Sequence, residues 1–146
     1  MGLPIMGIPF ARSSSISEVR DKNDIFNEAY FRAGHKETPD IVVALHVYLH
    51  ETEESALALA RFHYARVLEY LATSRRPGAR VPDFDTVTKE KLAIFSTPEG
   101  AEEILREYEK IGVTHVICMV NFGGLPMPEV RSTLELMAKK VMPKLS

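Results

Sequence analysis

Residues 41–49, Ile-Val-Val-Ala-Leu-His-Val-Tyr-Leu, constrain the fold more than any other stretch of this chain. Side chains alternate along a strand, so Ile41, Val43, Leu45, Val47 and Leu49 share one purely aliphatic face. The opposite face carries Val42, Ala44, His46 and Tyr48, with His50 just beyond, and passes from apolar to polar toward the carboxyl end. A strand with one face in water is polar along all of that face. This one is built for burial on both, the condition of a parallel sheet covered by helices. Its polar residues mark the carboxyl end as the functional one.

The flanking segments supply helices for such a sheet. Residues 2–8 read as a short buried strand, followed by a loop at Pro9 and residues 12–15. No basic residue precedes this apolar start and two prolines interrupt it, so it is expected to be strand and loop, not a signal peptide. Ile16, Val19, Phe26, Ala29, Tyr30 and Ala33 mostly follow helical spacing; Ser15 or Ser17 caps the start and Gly34 ends it in a left-handed conformation. Thr38-Pro39-Asp40 is a turn. Thr52 caps a long helix to about Leu71, with Glu53 and Glu54 in its first turn. Residues 75–81 form a basic loop. Its Arg75, Arg76 and Arg80, with Lys89 and Lys91, are either solvated or phosphate-binding.

Thr86 to Phe95 reads as a short helix. Ser96-Thr97-Pro98-Glu99 starts another, whose apolar stripe is Ile104, Leu105, Tyr108 and Ile111, stopped by Gly112. Residues 113–120 are the third strand and 121–126 its exit loop. The last helix starts near Pro128 and runs to about Val141, with Val130, Leu134, Met137 and Val141 inward and Pro143 blocking its continuation. Strand and helix thus alternate, which predicts an α/β fold with a parallel sheet and right-handed crossovers.

Several functions are disfavoured. The net charge of -2 gives no electrostatic case for nucleic acid or an acidic membrane. No apolar run reaches bilayer-spanning length. Cys118 is the only cysteine, which rules out an internal disulfide and fits a reducing cytoplasm; mid-strand, it reads as a buried inert thiol. His46 and His50 would stand roughly 13 Å apart along a strand, too far to share one metal ion. The G-x-S-x-G, G-x-G-x-x-G and Walker patterns are missing. His46 either contacts a ligand or is satisfied within a core. Tyr48 either orients a ligand or fills space. Gly123-Gly124 either lets backbone approach a phosphate or ring, or is a turn. On the last strand either Met119 and Asn121 or Cys118 and Phe122 turn inward; the polar Asn121 suits a pocket better.

Four segments together are similar to the carboxyl-terminal part of the bacterial-luciferase-like flavin monooxygenases. They are Gly2–Met6 with the helix ending Tyr30–His35, His46–Ala56, Ser96–Val113, and Asn121–Leu145. The resemblance implies that residues 1–146 are one partial domain carrying the last three strands of a TIM-type (β/α)8 barrel. Such barrels need about 250 residues and eight strands, so the rest is expected elsewhere or on another chain. The site of these barrels lies at the carboxyl ends of the strands. On that basis the resemblance implies His46 and Tyr48 as catalytic residues, and Gly7, Pro9, Asn121, Gly123 and Gly124 as cofactor-binding residues. It further implies reduced FMN as cofactor, supplied by a flavin reductase, and oxygen and a small organic molecule such as an aldehyde or alkane as substrates. The family's main phosphate contacts precede the sixth strand. A non-catalytic α/β module, a homo-oligomer or complementing barrel segment joined through strand edges, is the other reading.

Overall fold

The structure, a computed structural model, describes residues 2–74 and 82–145; the arginines of the basic loop at 75–81 lie outside the described residues. Its elements are β1 (Ile5–Gly7), α1 (Pro9–Arg12), α2 (Ile16–Arg32), β2 (Ile41–Leu49), α3 (Glu53–Ser74), α4 (Phe84–Lys89), β3 (Ile94–Ser96), α5 (Pro98–Lys110), β4 (His115–Met119), α6 (Met127–Leu136), a π-helical turn (Met137–Val141) and α7 (Met142–Leu145). Every strand pairs with β2, and every pair is parallel. β1 and β4 flank its first half, with Met6 beside Val42 and Met119 beside His46, and β3 joins its carboxyl end, with Phe95 beside Tyr48. The expected side-by-side parallel strands are therefore present.

The two faces of β2 behave as their residues require. Ile41, Val43, Leu45, Val47 and Leu49 bury against Val19 of α2, Ala101, Leu105 and Tyr108 of α5, and Met137 and Val141 of the π turn. Tyr48 on the other face joins an aromatic cluster with Phe10, Tyr64, Phe84, Phe95 and Phe122. α3 crosses this inner face, and its Ala56 and Ala60, one turn apart, are small enough to let the helix settle closely on the strand ends.

Local chemistry explains the helix ends. Ser15 Oγ accepts from the Glu18 amide and Thr97 Oγ1 from the Gly100 amide, each satisfying a first-turn donor that has no partner inside its helix. Thr52 Oγ1 accepts from the Ser55 amide at 3.4 Å. Gly34 follows α2 at φ +91°.

Three segments depart from the sequence reading. The stretch expected as one short helix to Phe95 is α4 and then β3, because Lys91 at φ 55° ends the helical path. β3 is only three residues long, too short to show a period. Pro143 does not end the last helix. A proline ring collides with the carbonyl four residues back, and the wide π turn, with the Met142 amide donating to Met137 O, makes room for it inside α7. Finally, Thr133 and not Leu134 occupies the buried stripe of α6; its Oγ1 accepts from the Leu49 amide at 3.2 Å and ties that helix to β2.

The sheet is not closed. Among the described residues β1 and β4 each pair only with β2, so their outer edges carry no strand. Near those edges the inner face exposes apolar side chains: Met6 is 58% and Ile117 46% exposed.

Candidate functional site

The carboxyl end of β4 meets β2 beside His46, and the turn after β1 leads into α1, which sets Phe10 against the His46 ring. Its neighbours are aromatic rings: Phe10 at 4.3 Å between centroids, and Tyr64 and Phe122 each at 5.2 Å. Only 7% of the residue is exposed, and Nδ1 has no hydrogen-bond partner. Burial among rings disfavours the charged imidazolium and pushes the pKa down to about 4. The ring is therefore neutral at physiological pH. His46 is inside a core, as one of its two expectations had it, but it is not satisfied there.

A second polar atom shares that condition. Tyr64 Oη, on α3, is fully buried without a partner, among Phe84, Phe95, Phe122 and His46. Burial raises its pKa, so it remains a phenol. Each such orphaned group destabilises a fold by about 1–3 kcal/mol, which sets this pair apart from ordinary core residues.

Tyr48, on the same face as His46, is placed differently. Its hydroxyl donates to Glu129 Oε2 at 2.8 Å, and burial together with that carboxylate raises its pKa. With its hydrogen engaged, the ring fills the mouth and joins β2 to the first turn of α6. Tyr48→Phe is expected to lower unfolding free energy by about 2 kcal/mol, the scale of a hydrogen bond to a charged group. Urea denaturation at constant slope checks this; an unchanged midpoint refutes it.

The loop after β4 is occupied by protein. Gly123 sits at φ +56°, and a Cβ there would lie 1.9 Å from the His63 carbonyl oxygen of α3. His63 Nδ1 donates to Gly123 O at 3.1 Å, and Arg66 Nη1 to the same oxygen at 3.4 Å. Gly124 is at φ +73° with Arg66 Nη1 close by. The double glycine thus makes a close helix contact. Met119 packs toward the inner cluster and Cys118 toward the helix-covered face, where burial raises the thiol pKa. Asn121, expected inward, is exposed. The strand ends at Met119, alternation lapses, and Phe122 takes the inner position. Gly7 closes β1 beside Val43, on the helix-covered register, and Pro9 is the buried first residue of α1, which carries Phe10 to His46.

Sequence reasoning missed Tyr64 and Glu129 as members of this centre, and weighed Phe122 as inward but leaned to Asn121. The spacing Ala56, Ala60, Tyr64 is a legible helical stripe, but it does not reveal which side of the sheet the helix covers. Among the described residues no cluster of three or more His, Cys, Asp or Glu could hold a metal ion, and no helix is long and apolar enough to cross a membrane.

No family model matches the chain, and neither does any curated protein. Solved structures do. The chain is similar to the monooxygenase RslO1 from Streptomyces bottropensis at a TM-score of 0.81 and 23% identity, over 98% of this chain and 42% of that one. It is similar to the oxygenating constituent of 3,6-diketocamphane monooxygenase from the CAM plasmid of Pseudomonas putida at a TM-score of 0.62 and 19% identity, over 90% of this chain and 41% of the other. That second protein is a type II Baeyer-Villiger monooxygenase in complex with FMN. The chain spans less than half the length of either neighbour. Its fold is that of part of a TIM-type barrel.

Proposed function

We propose, from a fold shared with two monooxygenases, that this chain forms the carboxyl-terminal wall of a flavin-dependent monooxygenase barrel. The supporting observation is a buried, neutral His46 with an unpartnered Nδ1, held on β2 beside the carboxyl end of β4. Reduced FMN is the cofactor, and it supplies the electrons that activate oxygen. The residues present fit its ring: below His46 the inner face runs over Ala44, Val42 and Ile117, apolar and partly open, as a flat ring requires. Gly123 and Gly124 are filled by α3, so the phosphate falls to residues beyond those described. His46 faces the ligand, Tyr48 and Phe122 shape the mouth, and the aromatic cluster under α3 excludes water.

The substrate is a small organic molecule such as an aldehyde or alkane, and a flavin reductase supplies the reduced cofactor. The partner that completes the site is a complementing set of parallel strands. The unpaired edges of β1 and β4 and the exposed Met6 and Ile117 support this. The alternative is a non-catalytic module that self-associates through the same edges.

Titration with FMN of the chain mixed with the missing barrel strands, supplied as a second polypeptide, separates the two. Quenching of flavin fluorescence, and substrate oxidation once a reductase is added, are expected of the first. A colourless oligomer without flavin affinity overturns it in favour of the second.

A further inference from the structure

Strand β4 is apolar from Val116 to Met119, yet none of its residues is buried. Its inner face leaves Ile117 exposed, and its helix-covered face floors a groove of about 780 Å³ with Val116 and Cys118. Leu105 and Glu109 of α5 and Met142 and Leu145 of α7 wall that groove. Among the described residues nothing beyond β4 lines it, so it opens at the unpaired edge. The opposite edge of the sheet carries the matching shape. β1 is unpaired on its outer side, and α2 follows it on the same helix-covered face. One flank of α2 faces the rest of the chain, where Asn23 Nδ2 donates to Ile111 O and Asn27 approaches Gly112. The other flank carries Lys22, Ile25, Ala29 and Arg32, three and four residues apart. It is turned to the free edge of β1, since Lys22 lines the hollow beside Ile5 and Met6. Ile25 there is 67% exposed, and Ala29 is exposed as well.

We propose that the groove is occupied by a second copy of this chain, docked head to tail. β1 of the second copy lies parallel along the outer edge of β4, with Met6 beside Ile117 on the inner face, and the Ile25–Ala29 flank of its α2 settles into the groove. The contact repeats what each chain already does within itself, with parallel strands side by side and helices on one face. Charge agrees with it. α2 runs from the carboxyl end of β1 to the amino end of β2, so Arg32 lies at the amino ends of the strands. Glu109, near the end of α5, stands at the amino end of β4 and meets it there. A two-fold pairing of two β4 edges is the competing geometry. It runs antiparallel and sets the two open grooves side by side with no helix to fill either. The head-to-tail contact joins different surfaces and therefore repeats, in a ring or a row of copies. This goes beyond the monooxygenase reading and stands whether or not the assembly takes flavin.

The test uses the whole chain and two variants, each blocking one side of the contact. Ile117→Lys puts a charge on the β4 edge and Ile25→Glu puts one on the α2 flank; both side chains are exposed, so neither change disturbs the core. Sedimentation is expected to show the wild-type chain associating as concentration rises, and each variant alone associating at least ~10-fold more weakly. Mixed together, the two variants are expected to form a one-to-one dimer that stops there, because one retains only the β4 side and the other only the β1 side. Cys118 is the sole cysteine and floors the groove, so a thiol reagent reports which copy is occupied. In the mixture, mass spectrometry is expected to find Cys118 protected in Ile25→Glu and reactive in Ile117→Lys. A wild-type chain that stays monomeric overturns the proposal. So does Ile25→Glu dimerising alone, which indicates two-fold pairing of β4 edges, or a mixture in which the variants do not pair or in which Cys118 of Ile25→Glu stays reactive.

Discussion

Replacing Gly123 by alanine is expected to destabilise the chain by about 4 kcal/mol or more, a large part of the 5–15 kcal/mol typical of a folded domain. Two effects add. The backbone at φ +56° is left-handed, where a Cβ costs about 1–2 kcal/mol. That Cβ would also fall 1.9 Å from the His63 carbonyl oxygen, which is helix backbone and cannot turn aside as a side-chain tip can. α3 would have to lift from the exit of β4, breaking the His63 and Arg66 bonds to Gly123 O. Gly34→Ala is the internal control. Its φ of +91° is also left-handed, but nothing lies within 4 Å of the added carbon, so only the conformational term of about 1–2 kcal/mol is expected. Denaturation curves of the two variants test the difference, and equal losses would show that the contact with α3 carries no energy.

Acidification is expected to destabilise the chain by about 3 kcal/mol through His46 alone. In the unfolded chain the ring takes up its proton near the ordinary 6.5, whereas in the folded chain burial delays this to about 4. Between those values the unfolded state binds more protons, so stability is full above pH 6.5, declines as pH falls, and has lost this contribution entirely below 4. The groups in ring contact with His46 are Phe10, Tyr64 and Phe122, none of which carries charge in this window. Carboxylates elsewhere titrate as well, so the measurement is the difference between the pH profiles of the wild-type chain and His46→Phe. The variant should lack the component between pH 6.5 and 4. Parallel profiles would mean that the ring reaches water in the folded state.

Much of this was legible in the residues because β2 announces itself. Nine residues with two apolar faces admit few settings, and the shift toward His46 and Tyr48 shows which end of the strand to watch. The cap at Thr52 read correctly, and those at Ser15 and Thr97 were narrowed to within two residues, because a hydroxyl followed by a free amide is a local matter. What escaped was everything decided at a distance. Ala56, Ala60 and Tyr64 define a stripe, but only the assembled sheet shows that the stripe lies over the strand ends. Asn121 looked like a pocket residue because alternation was carried past the point where the strand stops. Pro143 looked like a terminator because the π turn that shelters it is set by packing of Met137 and Val141 under α5, not by any residue preference.

The dependence of all strands on β2 has a consequence for how the chain is made. One flank of β2 has β1 already synthesised. The rest of its edges stays bare until β3 reaches its carboxyl end, roughly 45 residues after Leu49, and β4 its first half, roughly 65 residues after, which at ~5–20 residues per second is a wait of several seconds on the ribosome. Throughout that interval the first half of this apolar ribbon has an unsatisfied edge, so the nascent polypeptide should depend on chaperone shielding far more than the finished one.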